Sequence, residues 1–187
     1  MKNIFVVLVS MMLTIPSFAQ LSIGADQGYI ITNALDTVVG VIKQNTPAQQ
    51  SVKLIFTDSE TNEKHIYRPF EVKSWHIPNE NIIYESKAHK IGRKNFGVFM
   101  RRLNEDGQIG CYEYWNTDGQ NGFTQIFLER DGKMTEVNYG KFKKHMAEYF
   151  GDHEELKTRI ENKEFKKKDL IQIVAIYNKW MEYKWGG

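Results

Sequence analysis

The feature that most constrains this chain is a change of period at Gly140. From Gly28 to about Asn138 the sequence runs as short β-prone stretches divided by turn residues; beyond Gly140 the apolar positions recur at helical spacing. Gly28–Thr32 and Thr37–Gln44 flank Asn33-Ala34-Leu35-Asp36, and Ser51–Thr57 places Val52, Leu54 and Phe56 on one face. Glu63–Arg68 follows a polar turn at Asp58–Asn62. Runs near Phe70–Trp75 and Asn81–Ser86 are punctuated by Pro69 and Pro78, which lack the N–H of a sheet ladder and belong at strand ends or edges. Phe96–Leu103 and Gln108–Trp115 are joined by Asn104-Glu105-Asp106-Gly107. After Thr117–Gly122 comes Phe123–Glu129, then Arg130-Asp131-Gly132 leads into Lys133–Val137. Asp-Gly between apolar runs is a strong hairpin signal, because Gly accepts φ > 0 without cost.

In the tail, Phe142, Met146, Tyr149 and Phe150 share a helical face. Gly151 suits a C-terminal cap, and Asp152 with Glu155 three residues on suits the next N-cap. A short helix through Leu156 and Ile160 follows. Asp169 with Gln172 then opens a third, whose stripe is Leu170, Ile173, Val174, Tyr177 and Met181, ended by Gly186. Strands first and helices last predict an α+β fold: an antiparallel β-meander, curled or barrel-like, followed by about three C-terminal helices packed on it. Residues 20–187 form one domain, with a β-rich body at 20–139 and a helical tail at 140–187, since 48 residues make a poor core alone.

The N-terminus reads as a cleavable signal peptide over residues 1–19. Lys2 is the positive region, Ile4–Leu13 the apolar core, and Ser17-Phe18-Ala19 the small-residue cleavage site. The apolar run is too short for a span of about 20 residues, and Pro16 interrupts it. These features predict a soluble periplasmic or secreted protein without stable membrane insertion after cleavage. No Cys follows the cleavage site to carry lipid.

Losing Lys2 leaves 24 basic against 23 acidic residues, a balance that argues against nucleic acid as partner. The run Lys166-Lys167-Lys168 reads as a solvated helix approach. Cys111, the single cysteine, cannot form an internal disulfide; within Gly110–Trp115 it reads as a buried strand thiol.

No residue earns a catalytic, cofactor-binding, metal-binding or ligand-binding role from the sequence. His65, His76, His89, His145 and His153 form no metal motif. His145 and Glu148 share a helix face at i, i+3 but lack the second such pair a bundle site needs. The serines Ser22, Ser51, Ser59, Ser74 and Ser86 include no G-x-S-x-G elbow, although triads are recognised by geometry rather than order. Aromatics crowd at Tyr112, Tyr114 and Trp115 and at Trp180, Tyr183 and Trp185. Tyr112 and Tyr114 share a strand face opposite Cys111, Glu113 and Trp115, favouring sheet packing over a ligand surface.

The chain resembles a family of uncharacterised exported proteins frequent in the Bacteroidetes. The resemblance lies in Gly28–Ile31, Asp36–Ile42, Val52–Phe56, the hairpins ending at Gly132, and the tail from Tyr149 through Leu156 to Asp169–Ile171 and Ile176–Asn178. Where those relatives often carry Cys-Pro, this chain has His153-Glu154. The resemblance implies an envelope location and a β-rich body with a helical tail, and no reaction. The expectation is a non-catalytic ligand-binding protein of the envelope without cofactor, its partner an unknown small molecule or envelope protein. The alternatives are a protein–protein interaction module of an envelope assembly, or a hydrolase.

Overall fold

The computed structural model describes residues 24–91, 94–116 and 122–185; the signal peptide expected over 1–19, most of the turn expected at 117–122 and Gly186 lie outside them. Ten strands form one antiparallel sheet: β1 Ala25–Thr32, β2 Thr37–Lys43, β3 Leu54–Asp58, β4 Lys64–Tyr67, β5 Val72–Ile77, β6 Ile82–Ile91, β7 Lys94–Arg102, β8 Ile109–Asn116, β9 Phe123–Arg130 and β10 Lys133–Glu136. Helices are α1 Pro47–Gln50, α2 Phe142–Tyr149, α3 Glu154–Glu161 and α4 Leu170–Trp185. The expected α+β class with C-terminal helices on an antiparallel sheet is what the chain forms, and the sheet stays open rather than closing as a barrel.

Strand order departs from a simple meander: it runs β10-β9-β8-β7-β6-β5-β1-β2-β3-β4, so β1 lies between β2 and β5. The register shows why the first half must curl. Val72 is level with Thr32, whereas Ala25, Lys43, Ile55 and Ile66 share the opposite level, with Tyr67 one step beyond. In a flat sheet Tyr67 and Val72 would stand about eight residues apart along the strands, roughly 27 Å. The five residue steps between them span at most about 18 Å. Only a coiled, sheared sheet brings the end of β4 to the start of β5. Ile30, Ile42, Leu54, Phe56, Trp75, Ile77, Tyr84 and Phe99 all lie on the inner side of that coil and make its core. The connecting turn is held from two directions. Phe70 N–H donates to Ser86 Oγ at 3.2 Å and Phe70 C=O accepts from Asn33 Nδ2 at 2.7 Å, which fixes a bulky residue at φ 72°.

The second half covers the same side of the sheet with helices. Ile109, Cys111, Ile126 and Leu128 pack against Phe142, Met146, Phe150, Leu156, Ile160, Ile173, Val174 and Tyr177. The sheet also folds over its other side there. β7 and β8 pair only at Arg101↔Glu113 and Arg102↔Tyr112. Beyond that point the Phe99 N–H donates at 2.8 Å to Ser51 C=O, just past α1, instead of to β8. In a flat sheet β6 and β9 would be three spacings apart, about 14 Å. The His89 ring instead lies 5.2 Å from Phe127 and 4.7 Å from Tyr114. The β6–β7 hairpin is therefore bent onto β8 and β9, enclosing Val98, Met100, Tyr112, Tyr114 and Phe127.

Three local expectations are corrected. Asp152 does not cap α3: His153 does, its Nδ1 accepting from Leu156 N–H at 3.5 Å. The Asp152 carboxylate instead accepts from Tyr177 Oη at 2.7 Å and pairs with Arg130, tying α4 to the sheet. Asp169 ends a 3-10 turn that runs straight into α4, its carboxylate reaching back to Lys166 N–H at 2.7 Å. Ser51 belongs to the end of the unforeseen α1, whose N-cap is Thr46, so β3 begins only at Leu54. The Asp-Gly hairpin holds: Asp131 and Gly132 take φ 51° and 73°, the pair of positive angles a type I′ turn requires.

Candidate functional site

Alternation along a strand places Glu85 and Lys87 of β6 on the side that carries Arg102, Tyr112 and Glu129. In the first half that side is the exterior of the coil, with Val39 and Ile66 more than half exposed. From β7 onward the same side is folded inward around Met100 and Phe127. The five polar residues occupy the border, where the face passes from solvent into core.

They form one connected network. Lys87 Nζ lies 2.9 Å from Glu85 and 2.6 Å from Glu129, and 4.4 Å above the Tyr112 ring. Arg102 Nη1 bonds Glu85 at 2.8 Å and Asp106 at 2.7 Å, and Tyr112 Oη donates to Glu85 at 3.0 Å. The Tyr112 ring is seated over Gly110, where a Cβ would come within 2.5 Å of it. Charge states follow from this wiring. Burial pushes Glu85 up, but hydrogen bonds from Lys87 and Arg102 outweigh it and hold the carboxyl below its ordinary 4.5. Burial pulls Lys87 down, yet hydrogen bonds to Glu129 and Glu85 carry it above its ordinary value. Burial raises the Tyr112 phenol. At neutral pH Glu85, Lys87 and Tyr112 therefore keep fixed charge states, none of the three poised to exchange a proton.

Two adjoining clefts open on the network and share Glu85, Arg102 and Asp106. One, about 420 Å³, continues along Lys87, Tyr112 and Glu129. The other, about 310 Å³, continues to Ile31, Ser74, His76 and Ile83. In the second cleft Ser74 Oγ and His76 Nε2 are 2.9 Å apart, and the His76 ring stacks on Tyr29 at 4.5 Å. Burial lowers His76 from its ordinary 6.5, against the opposing pull of Glu85 and Asp106, so the imidazole is neutral at pH 7.

A larger groove of about 700 Å³ runs between β9 and α2, past Glu136, Tyr139, His145 and Glu148. Its walls carry long exposed side chains such as Lys144 and Glu148, and His145 Nδ1 is engaged in accepting from Asn138 N–H at 3.0 Å. Size favours that groove and converging buried polar groups favour the sheet border; the second criterion marks a site better.

The structure disperses the histidines. His65 lies on the edge strand β4, His89 is buried against Tyr114 and Phe127, and His153 caps α3 and stacks on Trp180 at 4.6 Å. Among the described residues no three His, Cys, Asp or Glu side chains gather around a point suited to a metal ion. Cys111 is fully buried, and burial pushes its thiol up to about 12. Tyr112 and Tyr114 are packed, as their spacing implied, but Tyr112 also presents its hydroxyl to the network. Sequence reading passed over Glu85, Lys87, Arg102, Asp106 and Glu129. The available signal was the alternation Glu85, Lys87, His89, legible only once β6 is known to continue to Ile91 rather than stop at Ser86.

Compared with known protein families, curated proteins and solved structures, the chain matches none.

Proposed function

We propose that this protein is an exported, non-catalytic ligand-binding protein of the cell envelope, and that its ligand sits on the sheet border between β1, β5, β6 and β7. The observation that carries the reading is a single pair. Arg102 and Glu85, with side chains only 12% and 19% exposed, form the shared floor of two open clefts. Partly apolar walls with a few fixed polar groups are what small-molecule sites use for affinity and orientation. A set of charges locked by mutual hydrogen bonds suits recognition better than proton transfer, which favours groups that titrate near the working pH. The N-terminal pattern Lys2, Ile4–Leu13, Ser17-Phe18-Ala19 and the resemblance to exported envelope proteins support the location.

The 2.9 Å contact between Ser74 and His76 favours a hydrolase as the second reading. It ranks lower because Ser74 is 6% exposed, and among the described residues no carboxylate hydrogen-bonds the His76 ring to orient it. Native mass spectrometry of the protein isolated from its own envelope tests the proposal. A retained small-molecule adduct that disappears in Ile83→Trp, which fills the smaller cleft, supports it. A bare protein, or a co-purifying protein in place of an adduct, refutes it.

A further inference from the structure

The Arg102 side chain carries two counter-ions of opposite character. Glu85 is largely buried and locked to Lys87 and Tyr112 as well. Asp106 projects from the loop between β7 and β8 with its side chain 99% exposed, and Arg102 is its only ion-pair partner among the described residues. An exposed carboxylate that meets one partner in open water contributes little to holding the fold together. It lines both clefts together with Arg102 nonetheless.

We propose that the ligand is a small carboxylate with an apolar body, and that it binds by taking the place of Asp106 on Arg102. This deepens the ligand-binding reading above and rests on it. A guanidinium has five N–H donors. Three hydrogen bonds are made, Nε to Asn104 C=O at 3.0 Å, Nη2 to Glu105 C=O at 3.2 Å and Nη1 to Glu85 at 2.8 Å, while Asp106 sits 2.7 Å from Nη1 as an ion pair. Nη1 and Nη2 each keep one N–H without a hydrogen-bond partner, and turning Asp106 away opens them to a second carboxylate, which can take two such donors in a fork. Charge agrees. The smaller cleft is lined by Lys73 and Arg102 against Glu85 and Asp106, so with Asp106 turned out into water its two cations face Glu85 and the incoming carboxylate. Shape agrees as well, because Ile31 and Ile83 line the same cleft and offer an apolar body a place to lie.

The probes are hexanoate, hexanamide and hexylamine, titrated at pH 7 into the mature protein. The readout is the Nε–H resonance of Arg102 in a nitrogen-15 correlation spectrum, assigned by its loss in Arg102→Ala. Hexanoate should shift that resonance, with hexanamide and hexylamine at least tenfold weaker. Asp106→Asn, which alters an exposed side chain and leaves the fold intact, should bind hexanoate about two- to fivefold tighter, the range set by removing one exposed competing ion pair. Equal binding of the three probes, or weaker hexanoate binding in Asp106→Asn, overturns the carboxylate assignment while leaving a ligand site at the border. Absence of any hexanoate shift overturns the assignment too, and the native adduct then decides separately whether the border binds a ligand of another class.

Discussion

Replacing Lys87 by Met removes one cation from between two carboxylates and leaves the packing of its stem largely in place. Lys87, Glu85 and Glu129 have side-chain exposures of 14%, 19% and 23%, so the pairing is mostly shielded. Breaking a fully buried pair by deleting one partner costs roughly 3–5 kcal/mol. The residual solvent access here places Lys87→Met just below that range, about 2–3 kcal/mol at pH 7. With a urea slope of about 2 kcal/mol/M for a chain of this size, the midpoint falls by about 1–1.5 M. The pH dependence is the sharper test. Glu85 is held below its ordinary 4.5 in the folded protein, so its contribution is fully present above that value and is lost as pH falls through the depressed one. Without Lys87, burial is opposed only by Arg102 and the Tyr112 hydroxyl, the folded pKa of Glu85 rises, and acid no longer removes the same stabilisation. The gap between wild type and variant therefore narrows between pH 7 and pH 4. Urea denaturation followed by tryptophan fluorescence at both pH values measures it. A cost under about 1 kcal/mol at pH 7, or an equal cost at the two pH values, would refute the idea that Lys87 compensates buried carboxylates.

Other outcomes follow from single contacts. Gly110→Ala forces a methyl within 2.5 Å of the Tyr112 ring and should cost about 1–3 kcal/mol by denaturant titration. Asn178 accepts from Ile109 N–H at 2.8 Å and donates to Ile109 C=O at 3.0 Å. Asn178→Ala removes the side-chain partner of the buried Ile109 N–H and leaves its C=O to Asn104 Nδ2 at 2.9 Å, costing about 1–3 kcal/mol and raising hydrogen exchange along β8. Cys111, fully buried with its thiol pushed up to about 12, should resist a thiol reagent at pH 8 until denaturant is added; rapid native labelling would contradict its placement under the helices.

Much of the fold was legible in the residues, and the misses share a cause. The stripe Leu170, Ile173, Val174, Tyr177 buries as its spacing implies, and Asp131-Gly132 turns as its chemistry implies, because both signals are local. The place of β1 between β2 and β5 is a tertiary result, accompanied by a turn at Phe70 that Asn33 of the β1–β2 turn and Ser86 of β6 hold. The same holds for the site. Lys87 and Glu129 are 42 positions apart and meet only because β7 and β8 part company beyond Arg101 and Tyr112. Their charges looked like ordinary strand polarity because nothing in a single sequence shows which side of a sheet turns inward halfway along it. Asp152 was misread for a related reason: its cap position is taken by His153 while Arg130 and Tyr177, distant in sequence, claim its carboxylate.

The account turns on where a ligand sits. A crystal structure of the protein purified from its native envelope, with whatever it retains, addresses that directly. The expected result is density against Arg102, extending over Ile31 and Ile83, with Asp106 turned away from the guanidinium. Density lodged instead in the groove between β9 and α2, with the Arg102–Asp106 pair intact and the border cleft filled only by water, would contradict it.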